Sequence, residues 1–378
     1  MTRHPSSWSS PNCSVKSSGA VDAMSARRPR WIEDLIMSTI NLSSPLFIRV
    51  IIPSVLVLTR ALSAFPAYGQ DLGSSSNLER VVVKAAELNQ AGMSYARSGK
   101  YEEAEQAFEQ AIRLQSTFSF AHYNLAIIYM MRKNFAEAIS ELTRVTELRP
   151  KYAEAFAILG NALVSAGDNG SALKALSKAI ELEPKLSSAY NDLGVAYFNL
   201  KQQTNALDSF RKAEALNQKD AEIEFNVATT LMSLQNYEAA FAVYQQVSRL
   251  RPDWVTAQEY LGNAALRTQH FEEASEAYVR LTRLVPEDAA ASEKLGLAYA
   301  KLKRYPQAIE AFERALQLNP RYARARFDLG LIYSYLNQKQ AANAQMKLLQ
   351  SIDAEIAREL LDYIHADKVI KVRYPDPR

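Results

Sequence analysis

The side chains best suited to catalysis or metal binding are few and poorly spaced. Histidines stand at His4, His122, His270 and His365, and no two of them have the short spacing from which a metal site is built. Cys13 is the one cysteine, which excludes an intramolecular disulfide and a thiolate metal cluster. There is no G-x-S-x-G nucleophile turn and no phosphate-binding P-loop pattern. His122 and His270 read as surface residues at a helix start and a turn. The sequence therefore predicts no catalytic residue, no metal and no cofactor. The chemistry it does carry is that of contact. Asparagines both donate and accept hydrogen bonds, aromatic rings supply area, and methionines adapt to shape.

These residues belong to elements that recur. Steps of thirty-four residues from Gly296 reach Gly262, Ala228, Gly194, Gly160, Ala126 and Gly92, and forward Gly330. The same steps from Ala308 reach Ala274, Ala240, Ala206, Ala172, Ala138, Ala104 and Ala342 without a gap. From Pro320 they reach Pro286, Pro252, Pro184 and Pro150, with Gln218 and Ser116 as exceptions. A strict period of this size signals stacked repeats, which overrides the two or three domains that length alone would suggest. Within one repeat, Leu295, Ala298, Tyr299 and Leu302 mark one helix face, and Ala308, Ala311, Phe312 and Ala315 mark another. Pro306 sits in the first turn of the second helix, where its missing N–H is harmless, and Pro320 ends that helix. Gly296 and Ala308 are expected to let the paired helices approach closely, to about 8 Å. Ile356, Leu360, Leu361 and Ile364 lie on one face of Asp353–His365, which reads as an amphipathic cap on the last repeat.

Charge and the N-terminal segment bear on location. Seven of the 44 basic residues but only three of the 41 acidic ones fall in the first 69 residues, so the repeat region is close to neutral and lacks the basic stripe of a nucleic-acid binder. Residues 1–36 are rich in Ser, Pro and Arg and read as disordered, or as preceding the true start, with Met24 and Met37 as alternative starts. Residues 37–69 have the layout of a signal peptide: a basic flank, the apolar run Val50–Leu58, and Ala67 and Gly69 before a cleavage point at Gln70. The run is short and interrupted for a spanning helix, which needs about 20 apolar residues; an uncleaved membrane anchor is the alternative. Residues 70–84 read as a linker and N-terminal cap, with Leu72–Asn77 flexible by composition.

On the Leu-Gly pairs at Leu159-Gly160, Leu193-Gly194, Leu261-Gly262, Leu295-Gly296 and Leu329-Gly330, the tyrosines Tyr95, Tyr129, Tyr197, Tyr299 and Tyr333, the alanine track, the rings at Phe108, Phe210, Tyr244, Tyr278 and Phe312, and the prolines, the chain resembles tetratricopeptide repeat (TPR) proteins. The resemblance covers residues 85–356 as eight repeats. It implies an all-α, right-handed α-solenoid of helix-turn-helix units, with residues 357–378 as the C-terminal capping helix and tail. It also implies that first helices line a concave groove where a peptide or protein partner binds. Carried over by position, the groove candidates are Phe120, Tyr123, Asn124, Ile127, Met130 and Met131 in the second repeat. Asn161, Asn191, Phe225, Asn226, Asn263, Phe327, Leu331 and Tyr335 follow in later ones. Chaperone-binding members clamp a terminal carboxylate with basic residues and asparagines. Here the matching places hold Ala157 or Glu259, Asp192 or Lys294, and Glu222 or Asp328, so the resemblance does not extend to that clamp. The implied function is an exported, non-enzymatic scaffold, periplasmic or secreted, with a protein or peptide partner, no nucleic acid and no small-molecule substrate. The alternative is a cytosolic or membrane-tethered adaptor whose basic N-terminal arm contacts nucleic acid or acidic lipid.

Overall fold

A computed structural model of the chain describes residues 72–365, and among these every regular element is an α-helix. The helices fall into two compact units that meet in sequence at Leu216 and Asn217. The first unit holds α1 (Leu72–Arg97), α2 (Tyr101–Leu114), α3 (Ser119–Met131), α4 (Phe135–Leu148), α5 (Ala153–Ser165), α6 (Asn169–Leu182), α7 (Ser187–Asn199) and α8 (Gln203–Leu216). The second holds α9 (Ala221–Ser233), α10 (Tyr237–Leu250), α11 (Val255–Arg267), α12 (Phe271–Leu284), α13 (Ala289–Lys301), α14 (Tyr305–Leu318), α15 (Ala323–Tyr335), α16 (Lys339–Gln350) and α17 (Ala354–His365). Within each unit every helix packs on the next. First helices of neighbouring pairs also touch: α1 on α3, α5 on α7, α13 on α15.

The glycine track works differently from a simple meeting of small residues. A Cβ on Gly194 would lie 2.6 Å from the Phe210 ring, and one on Gly296 would lie 2.8 Å from Phe312. Gly92 faces Phe108, Gly160 faces Leu176 and Gly262 faces Tyr278 in the same way. Each glycine thus receives the large side chain sixteen residues ahead, on the partner helix. The eight alanines of the second track are fully buried beside it. Gly330 departs from the pattern because its neighbour is Leu360 of α17. The C-terminal helix therefore closes over the last pair, with Ala357, Leu360 and Ile364 in one core with Phe327, Leu329 and Leu349.

Turns inside the pairs share one geometry. Gly99, Lys133, Gly167, Lys201, Gln235, Gln269, Lys303 and Asn337 all have positive φ, and six of the eight are not glycine. In each turn the next N–H reaches back five places, as from Asn134 to the Tyr129 carbonyl at 2.9 Å and from Arg304 to Tyr299 at 2.9 Å. This left-handed closure satisfies carbonyls at the end of the first helix. Pro306 lies in the first turn of α14, and that helix stops at Leu318, just ahead of Pro320.

Two expectations change or fall elsewhere. Leu72–Asn77, read as a linker, forms the opening turns of α1; extending an existing helix is cheap compared with nucleating one, and the segment has no proline. The segments 1–36 and 37–69 lie outside the described residues.

Candidate functional site

First and second helices are buried to different extents. Second helices carry a single buried stripe, such as Ala104, Ala107, Phe108 and Ala111 in α2. First helices are sandwiched; in α9 every residue from Ile223 through Leu231 is buried. This difference decides which of the candidates can meet a partner.

Seven of them cannot. Tyr123 is 2% exposed, and Ile127, Met130, Phe225, Asn226, Phe327 and Leu331 are also buried, which removes them as groove anchors. Their rings and chains pack between repeats instead. Tyr123 lies 5.5 Å from Tyr152. Phe225 is boxed by Tyr244, Trp254 and Tyr260 at 5.6, 4.7 and 5.3 Å. Phe327 meets Tyr363 of α17 edge-on. A helix packed on several sides leaves no free face for these positions, which the family resemblance assigns to a groove. Phe120, Asn124, Met131, Asn161, Asn191 and Asn263 remain partly exposed, and Tyr335 is 38% exposed.

The polar rows form a seam between adjacent first helices, at sequence intervals of 35 or 31. Asn124 Nδ2 donates to Asn89 Oδ1 at 2.9 Å. Asn161 Nδ2 donates to Asp192 Oδ2 at 3.0 Å, and Asn191 sits on the other oxygen at 3.5 Å. Lys294 Nζ donates to Asn263 Oδ1 at 2.9 Å, with Glu259 at 3.4 Å, while the Tyr278 hydroxyl donates to the same Asn263 oxygen at 3.0 Å. The amide groups expected to read a peptide backbone are therefore partly committed to the neighbouring repeat.

Burial perturbs two carboxyls in this seam. Asp192 is pushed up to about 7 by desolvation, against the two amides that favour its charge. Glu293 is pushed up to about 8 by desolvation and then by the Asp328 carboxylate, with Arg324 and Lys294 opposing. Arg324 Nε donates to Asp328 Oδ2 at 3.0 Å.

His122 is a correction. It is buried, with Nδ1 2.5 Å from Glu141 Oε2 and Nε2 3.0 Å from the Ser116 carbonyl. Burial works against its charged form, but the bonds to Glu141 and Ser116 outweigh it and raise its pKa. It fills a core position and ties α3 to α4. His270 precedes α12, stacks on Phe241 at 4.3 Å and lies 3.2 Å from Glu238. Among the described residues no group of three His, Cys, Asp or Glu side chains could hold a metal ion.

The helix-initial edge of the second repeat holds an arrangement missed in sequence reasoning. Arg149 follows α4, and its guanidinium lies 4.3 Å from the Tyr152 ring centre and 4.8 Å from that of Phe120. Phe118 meets Phe120 edge-on at 6.3 Å, and the Tyr152 hydroxyl donates to Glu154 Oε2 at 3.1 Å. A sequence signal was present: Arg-Pro-x-aromatic occurs at Arg149–Tyr152 and again at Arg251–Trp254.

Sequence profiles described as tetratricopeptide repeat match residues 89–153, 225–274, 261–323, 304–351 and 187–220, and one described as TPR repeat matches 160–201. Together they span more than half of the chain. Among solved structures, the C-terminal part of a TPR repeat-containing protein from Cytophaga hutchinsonii is similar at 16% identity, covering 64% of this chain and 98% of that one, with a TM-score of 0.53. YrrB, described as a TPR protein with an unusual peptide-binding site, is 23% identical over 49% of this chain and 95% of its own, with a TM-score of 0.46. The pilF protein of Pseudomonas aeruginosa is 21% identical over 55% and 96%, with a TM-score of 0.43. No curated protein matches the chain in sequence.

Proposed function

The chain belongs to the tetratricopeptide repeat family, and from that premise we propose that it is an exported, non-enzymatic scaffold that holds an extended segment of a partner protein on its first-helix faces. Repeats of this family support protein–protein interaction, and the fold is generally a non-enzymatic scaffold. The observation that carries the finer reading is that partly exposed contact residues recur on first helices of each unit: Phe120, Asn124 and Met131 on α3, Asn161 on α5 and Asn191 on α7 in the first, Asn263 on α11 and the exposed Tyr335 on α15 in the second. Rings and methionine supply area, and an amide both donates and accepts, which suits an extended backbone.

A photo-crosslinking amino acid placed at Met131 or Tyr335 is expected to capture the partner in the native host. The same group at Glu103 or Glu276, exposed on second helices, is not. Capture from the second-helix positions alone overturns the first-helix assignment. The export half of the reading rests on residues 37–69. A mature protein beginning at Gln70 supports it, and an intact N-terminus supports a tethered or cytosolic adaptor instead. Among the described residues no helix is long and apolar enough to cross a membrane.

A further inference from the structure

Arg149 and Arg251 stand at equivalent places, 102 residues apart, each followed by proline and then, two residues on, by an aromatic ring. Each guanidinium lies over that ring, Arg149 at 4.3 Å from Tyr152 and Arg251 at 4.8 Å from Trp254. What differs is the residue two places into the preceding first helix. In the second unit it is Glu222, whose carboxylate lies 3.5 Å from Arg251. In the first unit it is Phe120, a second ring under Arg149 at 4.8 Å. Arg251 is neutralised from within. Arg149 makes ring contacts and, among the described residues, no ion pair or hydrogen bond. Glu154, beside Tyr152, accepts the Tyr152 hydroxyl and makes no ion pair with Arg149.

Stacking on rings holds a guanidinium in place while leaving its N–H edge free, and that edge matches a carboxylate in two-point geometry. Positive charge over partly exposed rings is complementary to an acidic side chain with an apolar neighbour. We propose that Arg149, framed by Phe120 and Tyr152, is an anion-reading subsite that selects peptides bearing an Asp or Glu next to an apolar or aromatic residue. The carboxylate meets Arg149, and the apolar neighbour rests against Phe118 and Phe120. This rests on the peptide-binding reading given above and adds the chemical class of the ligand. The equivalent place around Arg251 is closed by Glu222 and makes no such selection.

The test is selection of a random heptapeptide library displayed on phage against the full chain and its variants. Peptides selected by the wild type are expected to be enriched in Asp and Glu beside aromatic or aliphatic residues. Arg149→Gln is expected to lose that enrichment, and Arg251→Gln to keep it. Arg149→Lys retains charge without the planar fork and is expected to keep the acidic preference with weaker binding. A selected acidic peptide made synthetically should bind the wild type about tenfold more tightly than its Asp→Asn counterpart, the scale of one charged hydrogen bond. That comparison needs no variant and stands if Arg149→Gln fails to fold. Peptides selected without acidic enrichment, or enrichment that survives Arg149→Gln, overturn the subsite and leave peptide binding intact. Absence of any enriched peptide overturns the peptide-binding reading and the subsite with it.

Discussion

Glycines on the repeat track are held by close approach and not by backbone conformation. A Cβ at Gly296 would meet the Phe312 ring at 2.8 Å, whereas one at Gly170 would have only Asp168 Oδ1 near it, at 3.8 Å. Gly296→Ala is therefore expected to cost about 1–3 kcal/mol as overpacking, and Gly170→Ala to be neutral or mildly stabilising. Thermal melts followed by circular dichroism compare the two, and equal melts would show that the ring can retreat freely. Tyr123→Ala probes the converse, a cavity left by a buried ring. Its ring is buried against Tyr152, so the substitution is expected to cost about 3 kcal/mol of stability before any binding is measured. Glu293 yields a pH prediction. Its carboxyl is raised from 4.5 to about 8 in a setting of Asp328, Arg324, Lys294 and Tyr322. The folded state thus holds the proton more tightly than the unfolded chain. Its contribution to stability is fully present below about pH 4.5 and is lost as pH rises through about 8. Glu293→Gln should leave the urea midpoint nearly unchanged at pH 5 and raise it relative to the wild type at pH 9. A variant that tracks the wild type at both values would contradict the assignment.

Among the helices, the last one has a distinct task. Leu360 fills the space over Gly330 that a large partner-helix side chain fills over the other track glycines, and Ala357 and Ile364 bury beside it. Repeat arrays need a terminal element with a polar outer face, because one pair cannot bury both of its apolar faces. Ending the chain at Asp353 removes α17 and bares Phe327, Leu329 and Leu331, all buried here. Aggregation or a lower melting temperature is expected in light scattering and calorimetry. A monomeric truncation with an unchanged melt would show that α17 is not a cap. The turns inside the pairs are equally uniform. The six non-glycine residues with positive φ sit in a conformation that costs L-residues roughly 1–2 kcal/mol, so Lys133→Gly or Gln269→Gly is expected to stabilise the chain by up to about 1 kcal/mol after the entropic cost of glycine.

Within each unit, each helix packs on its sequence neighbours, and stability is expected to be local. In such arrays it is close to a sum of repeat and nearest-neighbour terms. Gly194→Leu should therefore raise hydrogen exchange in α7 and α8, where Phe210 would be displaced, far more than in α13 and α14 of the other unit. Equal acceleration in both regions would reveal one cooperative block.

Much of this was legible from residue spacing. A period of thirty-four, with Gly or Ala, Ala and Pro tracks, is enough to specify paired helices and their turns, because each feature is local and recurs, and the single apolar face of Asp353–His365 specifies the amphipathic final helix. What spacing could not show is which side of a first helix stays open. Phe225 and Phe327 lie at the place that repeat position assigns to a groove, yet both are buried. Their helices are enclosed by neighbours on several sides, and periodicity reports only one contact face. The asparagine rows are ambiguous in sequence for a related reason: Asn124 and Asn161 have the pattern of solvent-facing amides, and only the fold brings residues 35 and 31 places away beside them. The Arg149 arrangement is not legible from spacing because its partners, Phe120 and Tyr152, come from two different repeats. Contacts within one repeat follow from the local sequence; those between repeats depend on how one pair settles on the next.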